Sequence, residues 1–126
     1  MSDLRPQGIP VELGGVERNF LFTLNVIDQL ESQYDMTMLD IFEKAMQKEG
    51  FSGTIQDIVL ALLNDEEERT RYENPDTTLK KTTKQEVGWM VNMENLGKVR
   101  IAILRAYGIS VPEPEGPNQE GGQQNS

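Results

Sequence analysis

Ile9-Pro10-Val11-Glu12-Leu13-Gly14-Gly15-Val16-Glu17-Arg18-Asn19-Phe20-Leu21-Phe22 decides the fold class. Ile9, Val11 and Leu13 alternate with polar or ring-locked neighbours, the period of a half-buried strand. Gly14-Gly15 follows, and paired glycines supply the positive φ angles of a two-residue hairpin turn at no steric cost. Phe20 and Phe22 resume the alternation, with Arg18 on the same side. The stretch therefore predicts a β-hairpin. Pro10 has no N–H for a ladder, which places the first strand at a sheet edge.

From Thr23 the apolar period lengthens to about 3.6, the helical value. Leu24, Ile27, Leu30 and Tyr34 fall on one helix face with Glu31 at its margin. Tyr34-Asp35-Met36 breaks the run. A second helix starts at Thr37, three residues before Asp40, the spacing of a capping box. Its apolar positions are Met38, Leu39, Phe42, Ala45 and Met46, and Gly50 is a natural C-terminal stop. A third helix is expected from Thr54, with Asp57 as its capping acid. It carries Ile58-Val59-Leu60-Ala61-Leu62-Leu63, and a helix apolar most of the way round belongs at the centre of a domain.

The run Asp65-Glu66-Glu67-Glu68 follows. Carboxylates at a helix C-terminus oppose the dipole, so a fraying, solvated end is expected there. Residues 72–82, with Asn74-Pro75-Asp76 as a turn signal, are expected to form a long mobile loop. A fourth helix opens at Thr83 with Glu86 in capping-box position and Val87, Met90 and Val91 as its inward stripe. Asn92 or Asn95 caps a fifth, in which Leu96, Val99, Ile103 and Tyr107 share a face widened by Ile101 and Leu104, and Gly108 ends it. Beyond Val111 the composition turns to Pro, Glu, Gly, Gln and Asn. Residues 112–126 hold too little apolar surface to offset their ordering entropy and are expected to be disordered.

The fold expected is α+β and mostly helical: a flexible start over 1–8, a hairpin-plus-five-helix domain over 9–111, and a disordered tail over 112–126. At 126 residues the chain suits one domain. Its net charge of −9 is the reverse of what neutralises phosphates, so nucleic acid and anionic membrane surfaces are not expected partners. No stretch approaches the ~18 apolar residues of a membrane span, and Met1 to Pro6 does not resemble a signal peptide. A cytoplasmic location is therefore expected.

Chemistry is sparse. There are no cysteines or histidines, so thiolate sites, a cysteine nucleophile and the usual neutral-pH base are missing. No phosphate-binding, dinucleotide or nucleophile-elbow motif occurs, and a hairpin turn accounts for Gly14-Gly15. Asp65 to Glu68 are the densest metal candidates, but successive helical residues point in different directions and no Ca²⁺-loop spacing is present. No catalytic residue, cofactor site or metal ligand is assigned, and the chain is not expected to be an enzyme. Trp89 is the only tryptophan. If Val87, Met90 and Val91 face inward, Trp89 and Met93 lie on the opposite side of the fourth helix, one turn apart. That makes Trp89 and Met93 candidates for a partner-binding surface. The alternative is a helix sandwiched on both sides, with Trp89 in the core.

The order of these elements resembles the tail assembly chaperones of long-tailed bacteriophages. The resemblance is carried by Val11 to Phe22 running into Leu24-Asn25-Val26-Ile27-Asp28-Gln29-Leu30-Glu31, and by the later piece from Gln85 to Tyr107. The similar stretch in that family is a hairpin followed by a helix bearing a glutamate, the place that Glu31 takes here. The resemblance covers residues 9–111 and rests on layout rather than on any chemical motif. It implies a protein that coats the tape measure protein until tail tube subunits replace it. It also implies self-association into a homo-oligomer, and absence from the mature particle. Two other readings stand beside it. One is a structural tail tube or head–tail connector subunit; the other is an acidic regulator, either a repressor or an inhibitor that mimics DNA.

Overall fold

The computed structural model describes residues 8–46 and 51–110, without side chains for 51 and 52. The expected lead-in, the stop at Gly50 and the expected disordered tail lie outside the described residues. The architecture is the α+β one: strands β1 (Ile9–Leu13) and β2 (Val16–Phe20), then helices α1 (Leu24–Tyr34), α2 (Met38–Ala45), α3 (Phe51–Glu73), α4 (Lys84–Met90) and α5 (Leu96–Ala106).

The hairpin forms as its residues require. Gly14 and Gly15 take φ of +60° and +79°, both positive as a type I′ turn demands. The antiparallel register pairs Leu13 with Val16, Val11 with Arg18 and Ile9 with Phe20. One face thus carries Leu13, Arg18 and Phe20, all buried. The Asn19 N–H turns outward and donates to Glu66 Oε2 at 3.2 Å, so its opposite number Pro10 presents an outer edge lacking a donor.

Helix α3 is the axis of the domain. Ile55, Ile58, Val59, Ala61, Leu62 and Leu63 are all buried, because α1, α2, α4 and β2 pack around it. The half-buried Leu60 completes the apolar run. Helix α5 lies on the hairpin, with Val99, Ala102 and Ile103 buried. Phe22, Phe42 and Tyr107 meet edge to face, with centroids 5.0–5.9 Å apart, and tie the end of the hairpin to α2 and α5.

The expected threonine caps form at α2 and α4, whereas α3 begins at Phe51 and so holds Thr54 and Asp57 within the helix instead of at its cap. Thr37 Oγ1 accepts the Asp40 N–H, and Thr83 with Glu86 forms a complete capping box. Asp35 takes the left-handed conformation that ends α1. Glu31 does more than border its face: its Oε2 accepts the Met38 N–H at 3.0 Å, so α1 supplies a carboxylate to the open N-terminus of α2.

Two inward faces differ from the expectation. In α1 the buried residues are Val26 and Leu30, while Leu24 is 82% exposed. Leu24 is the first helical residue, where Thr23 Oγ1 donates to Asp65, so this end of α1 meets the charged half of α3. In α2 the buried set is Met38, Ile41, Phe42 and Ala45, a strict helical stripe, and Leu39 and Met46 are exposed.

The larger correction concerns the acidic run. Helix α3 starts before Thr54 and continues through the run to Glu73 rather than fraying. Asp65, Glu66 and Glu67 are buried. The dipole penalty is offset because each carboxylate meets a cation. Asp65 pairs with Arg69 at 2.9 Å, Glu66 with Arg18 at 2.7 Å and Glu68 with Lys81 at 2.6 Å, and Glu67 accepts Arg71 Nε at 2.6 Å. The segment expected as a loose loop is strapped along α3 by the same groups. Arg71 donates to the Leu79 carbonyl, and Asn64 exchanges two hydrogen bonds with the Thr82 backbone.

Candidate protein-binding surface

The charged groups form a structural frame. Arg18 is buried with its Nε on Glu66 and Nη2 on the Leu63 carbonyl, so the hairpin is bolted to α3 by a desolvated ion pair. Glu66 also takes both nitrogens of Asn19. A second cluster joins Tyr34 Oη to Asp57 Oδ2 at 2.5 Å and Lys84 Nζ to Asp57 Oδ1 at 3.0 Å, linking α1, α3 and α4. Burial and the Asp57 carboxylate both raise the Tyr34 hydroxyl above its ordinary value. The hydrogen bond from Glu68 holds the Lys81 ammonium above its own. Among the described residues no group of three or more carboxylates is arranged to hold a metal ion. The side chains at Asp65 to Glu67 are instead committed to arginines.

Exposed apolar side chains are spread over the surface, with Leu24 on α1, Leu39 on α2 and Tyr72 on α3, and two of them, Trp89 and Met93, lie where α4 turns into α5. The capping box at Thr83 fixes the start of α4, and Val87, fully buried, fixes its rotation. Trp89 therefore points away from α3 and is 69% exposed. Helix α4 stops at Met90, with Val91 in extended conformation. A short turn follows in which Asn92 and Asn95 cap each other. Asn92 Oδ1 accepts the N–H groups of Glu94 and Asn95, and Asn95 Oδ1 accepts the Asn92 N–H at 2.8 Å. Met93 sits on this turn and is 84% exposed.

Trp89 and Met93 are thus both on the surface, but not as two residues of one helix face, because the helical phase does not extend to Met93. They border two separate clefts. Trp89 lines a cleft of about 640 Å³ between β1 and α5, with Pro10, Val11, Lys98, Ile101 and Arg105 among its walls. Met93 lines a smaller one of about 370 Å³ with Ile55, Gln56, Val91 and Leu96, where α3 meets the turn. The second is apolar apart from Gln56 and Asn92, and it has room for one or two large apolar side chains. Gly88 forms part of its wall. A Cβ there would lie 2.6 Å from Gln56 Nε2, so the glycine allows the amide to fold over α4.

Pattern reasoning on α4 located Trp89 and Met93 but did not locate the clefts. These depend on how β1 and α3 approach the α4–α5 corner. Val91 and Leu96 were legible only as core residues, yet both are half-buried and reach the smaller cleft. Among the described residues no helix is long and apolar enough to cross a membrane. Compared with known proteins, the chain matches no family model, no curated protein and no solved structure.

Proposed function

We propose that this chain is a non-catalytic protein-binding domain that serves as a phage tail assembly chaperone, holding the tape measure protein in solution during tail assembly. The observation that carries the reading is the exposure of Trp89 and Met93, each bordering a cleft at the α4–α5 corner. Trp and Met are the side chains that most favour protein interfaces, one by rigid contact area and the other by adaptability. A long, partly apolar helical partner presents side chains at helical spacing, and the Met93 cleft is apolar and of matching size. A net charge of −9 keeps such complexes apart in solution.

The tail-subunit reading is weaker because the two-stranded hairpin, the only sheet among the described residues, offers little for a tube wall. The DNA-mimic reading needs carboxylates displayed together on a surface, whereas Asp65, Glu66 and Glu67 are buried against cations. The test is co-expression with the tape measure chain of the same phage. A soluble complex that dissociates when Trp89 and Met93 are both changed to Ala supports the proposal. A tape measure chain that precipitates equally with and without this protein refutes it.

A further inference from the structure

We propose that the cleft between β1 and α5 is a strand-docking site: an extended segment of a partner protein adds to the outer edge of β1, with a lysine or arginine opposite Glu12. The inference rests on the register of the hairpin, the walls of the cleft and the charge on its rim. It does not depend on the identity of the partner proposed above.

The register decides which backbone groups face the cleft. A two-residue turn joins Leu13 to Val16, so Leu13–Val16, Val11–Arg18 and Ile9–Phe20 are the pairs that exchange hydrogen bonds within the hairpin. The backbone groups of Pro10 and Glu12 on β1, like those of Glu17 and Asn19 on β2, therefore turn outward. The bond from the Asn19 N–H to Glu66 has this parity. On the β2 side the outer edge meets α3. On the β1 side it opens on the cleft of about 640 Å³. Ile9, Pro10, Val11 and Glu12, from both faces of the strand, line that cleft, and no residue of β2 does. Such a lining belongs to a groove beside an edge rather than a hollow over a face. Pro10 lacks a donor, but its carbonyl accepts, and Glu12 offers both an N–H and a carbonyl. An antiparallel neighbour can bond to all three groups.

The two faces of the added strand meet different chemistry. Neighbouring strands lie about 4.8 Å apart, so the new strand lies over α5. Its inward side chains rest on half-buried Ile101 and beside Trp89, which is 69% exposed. Lys98 stands on the same floor and favours apolar or acidic neighbours in this row. The outward row meets the opposite sign. Glu12 and Glu17 face each other directly across the hairpin, both exposed. Among the described residues no ion pair joins either of them to a cation. Like charges so placed weaken a sheet, and a cation beside Glu12 in a third strand relieves them. The same charge disfavours a second copy of this chain as the occupant. Pairing two β1 edges brings the Glu12 carboxylates of both copies together, between molecules of net charge −9.

The probe is a short capped peptide alternating valine and lysine, titrated against the full chain. Binding is read by calorimetry and by acrylamide quenching of Trp89, the only tryptophan. When its lysine side chains lie on the Glu12 side, the lysine N–H groups face β1 and the valine N–H groups face away. Saturable binding that shields Trp89 is expected. N-methylation of the lysine amides should abolish it, and N-methylation of the valine amides should not. The matching valine–glutamate peptide should bind at least about tenfold more weakly. Glu12→Lys, a change at an exposed position, should reduce that preference roughly tenfold although the chain stays net negative. The proposal is overturned by the absence of saturable binding at millimolar peptide, or by equal loss on methylating either set of amides. An unchanged lysine preference in Glu12→Lys also overturns it, since the peptide would then be drawn by net charge alone.

Discussion

Replacing Glu66 with Gln is expected to cost several times more stability than the same replacement two residues on, at Glu68. Both carboxylates belong to the acidic run and both pair with a cation at 2.6–2.7 Å. They differ in solvent. The Arg18–Glu66 pair has side-chain exposures of 7% and 12%, and the Lys81–Glu68 pair 61% and 63%. Removing the Glu66 charge leaves a guanidinium desolvated beneath the hairpin, a loss of about 3–5 kcal/mol for a broken buried pair. For a domain of about 100 residues each kcal/mol moves the midpoint by roughly 4–8 °C, so Glu66→Gln should lower Tm by at least about 12 °C. Glu68→Gln removes a solvent-exposed contact worth under about 1 kcal/mol, most of it screened by salt. Thermal unfolding by circular dichroism at low and high salt separates the two. Equal shifts for both variants would refute the reasoning, because burial would then not decide the worth of these pairs.

Trp89→Ala should lower folding stability by only about 1–2 kcal/mol in chemical denaturation, since roughly a third of a ~250 Å² side chain is lost from contact at ~25 cal/mol per Å²; a loss near 4 kcal/mol would mean the indole is core. Tyr34→Phe removes the hydroxyl bonded to Asp57 and should cost about 1 kcal/mol, checked by urea unfolding. Because the folded protein holds the Tyr34 proton more tightly than the unfolded chain, the associated stability is complete below pH ~10 and falls as pH rises beyond it. Tyr34→Phe should flatten that alkaline decline. Isothermal calorimetry with Ca²⁺ or Mg²⁺ should show no tight binding, because Asp65, Glu66 and Glu67 are held by arginines. Micromolar binding abolished by Glu66→Gln and Glu67→Gln would contradict that assignment.

The hairpin and the caps were legible because their causes are local. Gly14-Gly15 demands a particular turn, and the hydroxyls of Thr37 and Thr83 satisfy N–H groups three residues away. The inward faces of α1 and α2 were less so. Leu24-Asn25-Val26-Ile27 and Met38-Leu39-Asp40-Ile41 each allow two helical phases of similar apolar content, and only contact with α3 selects Val26 and Ile41. The burial of the acidic run depends on Arg18, forty-eight residues from Glu66 in sequence. One signal pointed to it: Arg18 alternates with Phe20 on the core side of its strand, and a buried guanidinium requires a carboxylate. At the candidate surface the exposure of Trp89 followed from the phase of Val87. The clefts that Trp89 and Met93 border are tertiary, and no local pattern encodes them.

The proposed binding of a tape measure chain at the α4–α5 corner is tested most directly by calorimetric titration of the purified protein with a soluble tape measure segment. Trp89→Ala is expected to weaken the complex roughly 30-fold, the equivalent of about 2 kcal/mol at an interface hot spot, with the variant still folded. Wild-type affinity in a folded Trp89→Ala, Met93→Ala double variant would contradict it.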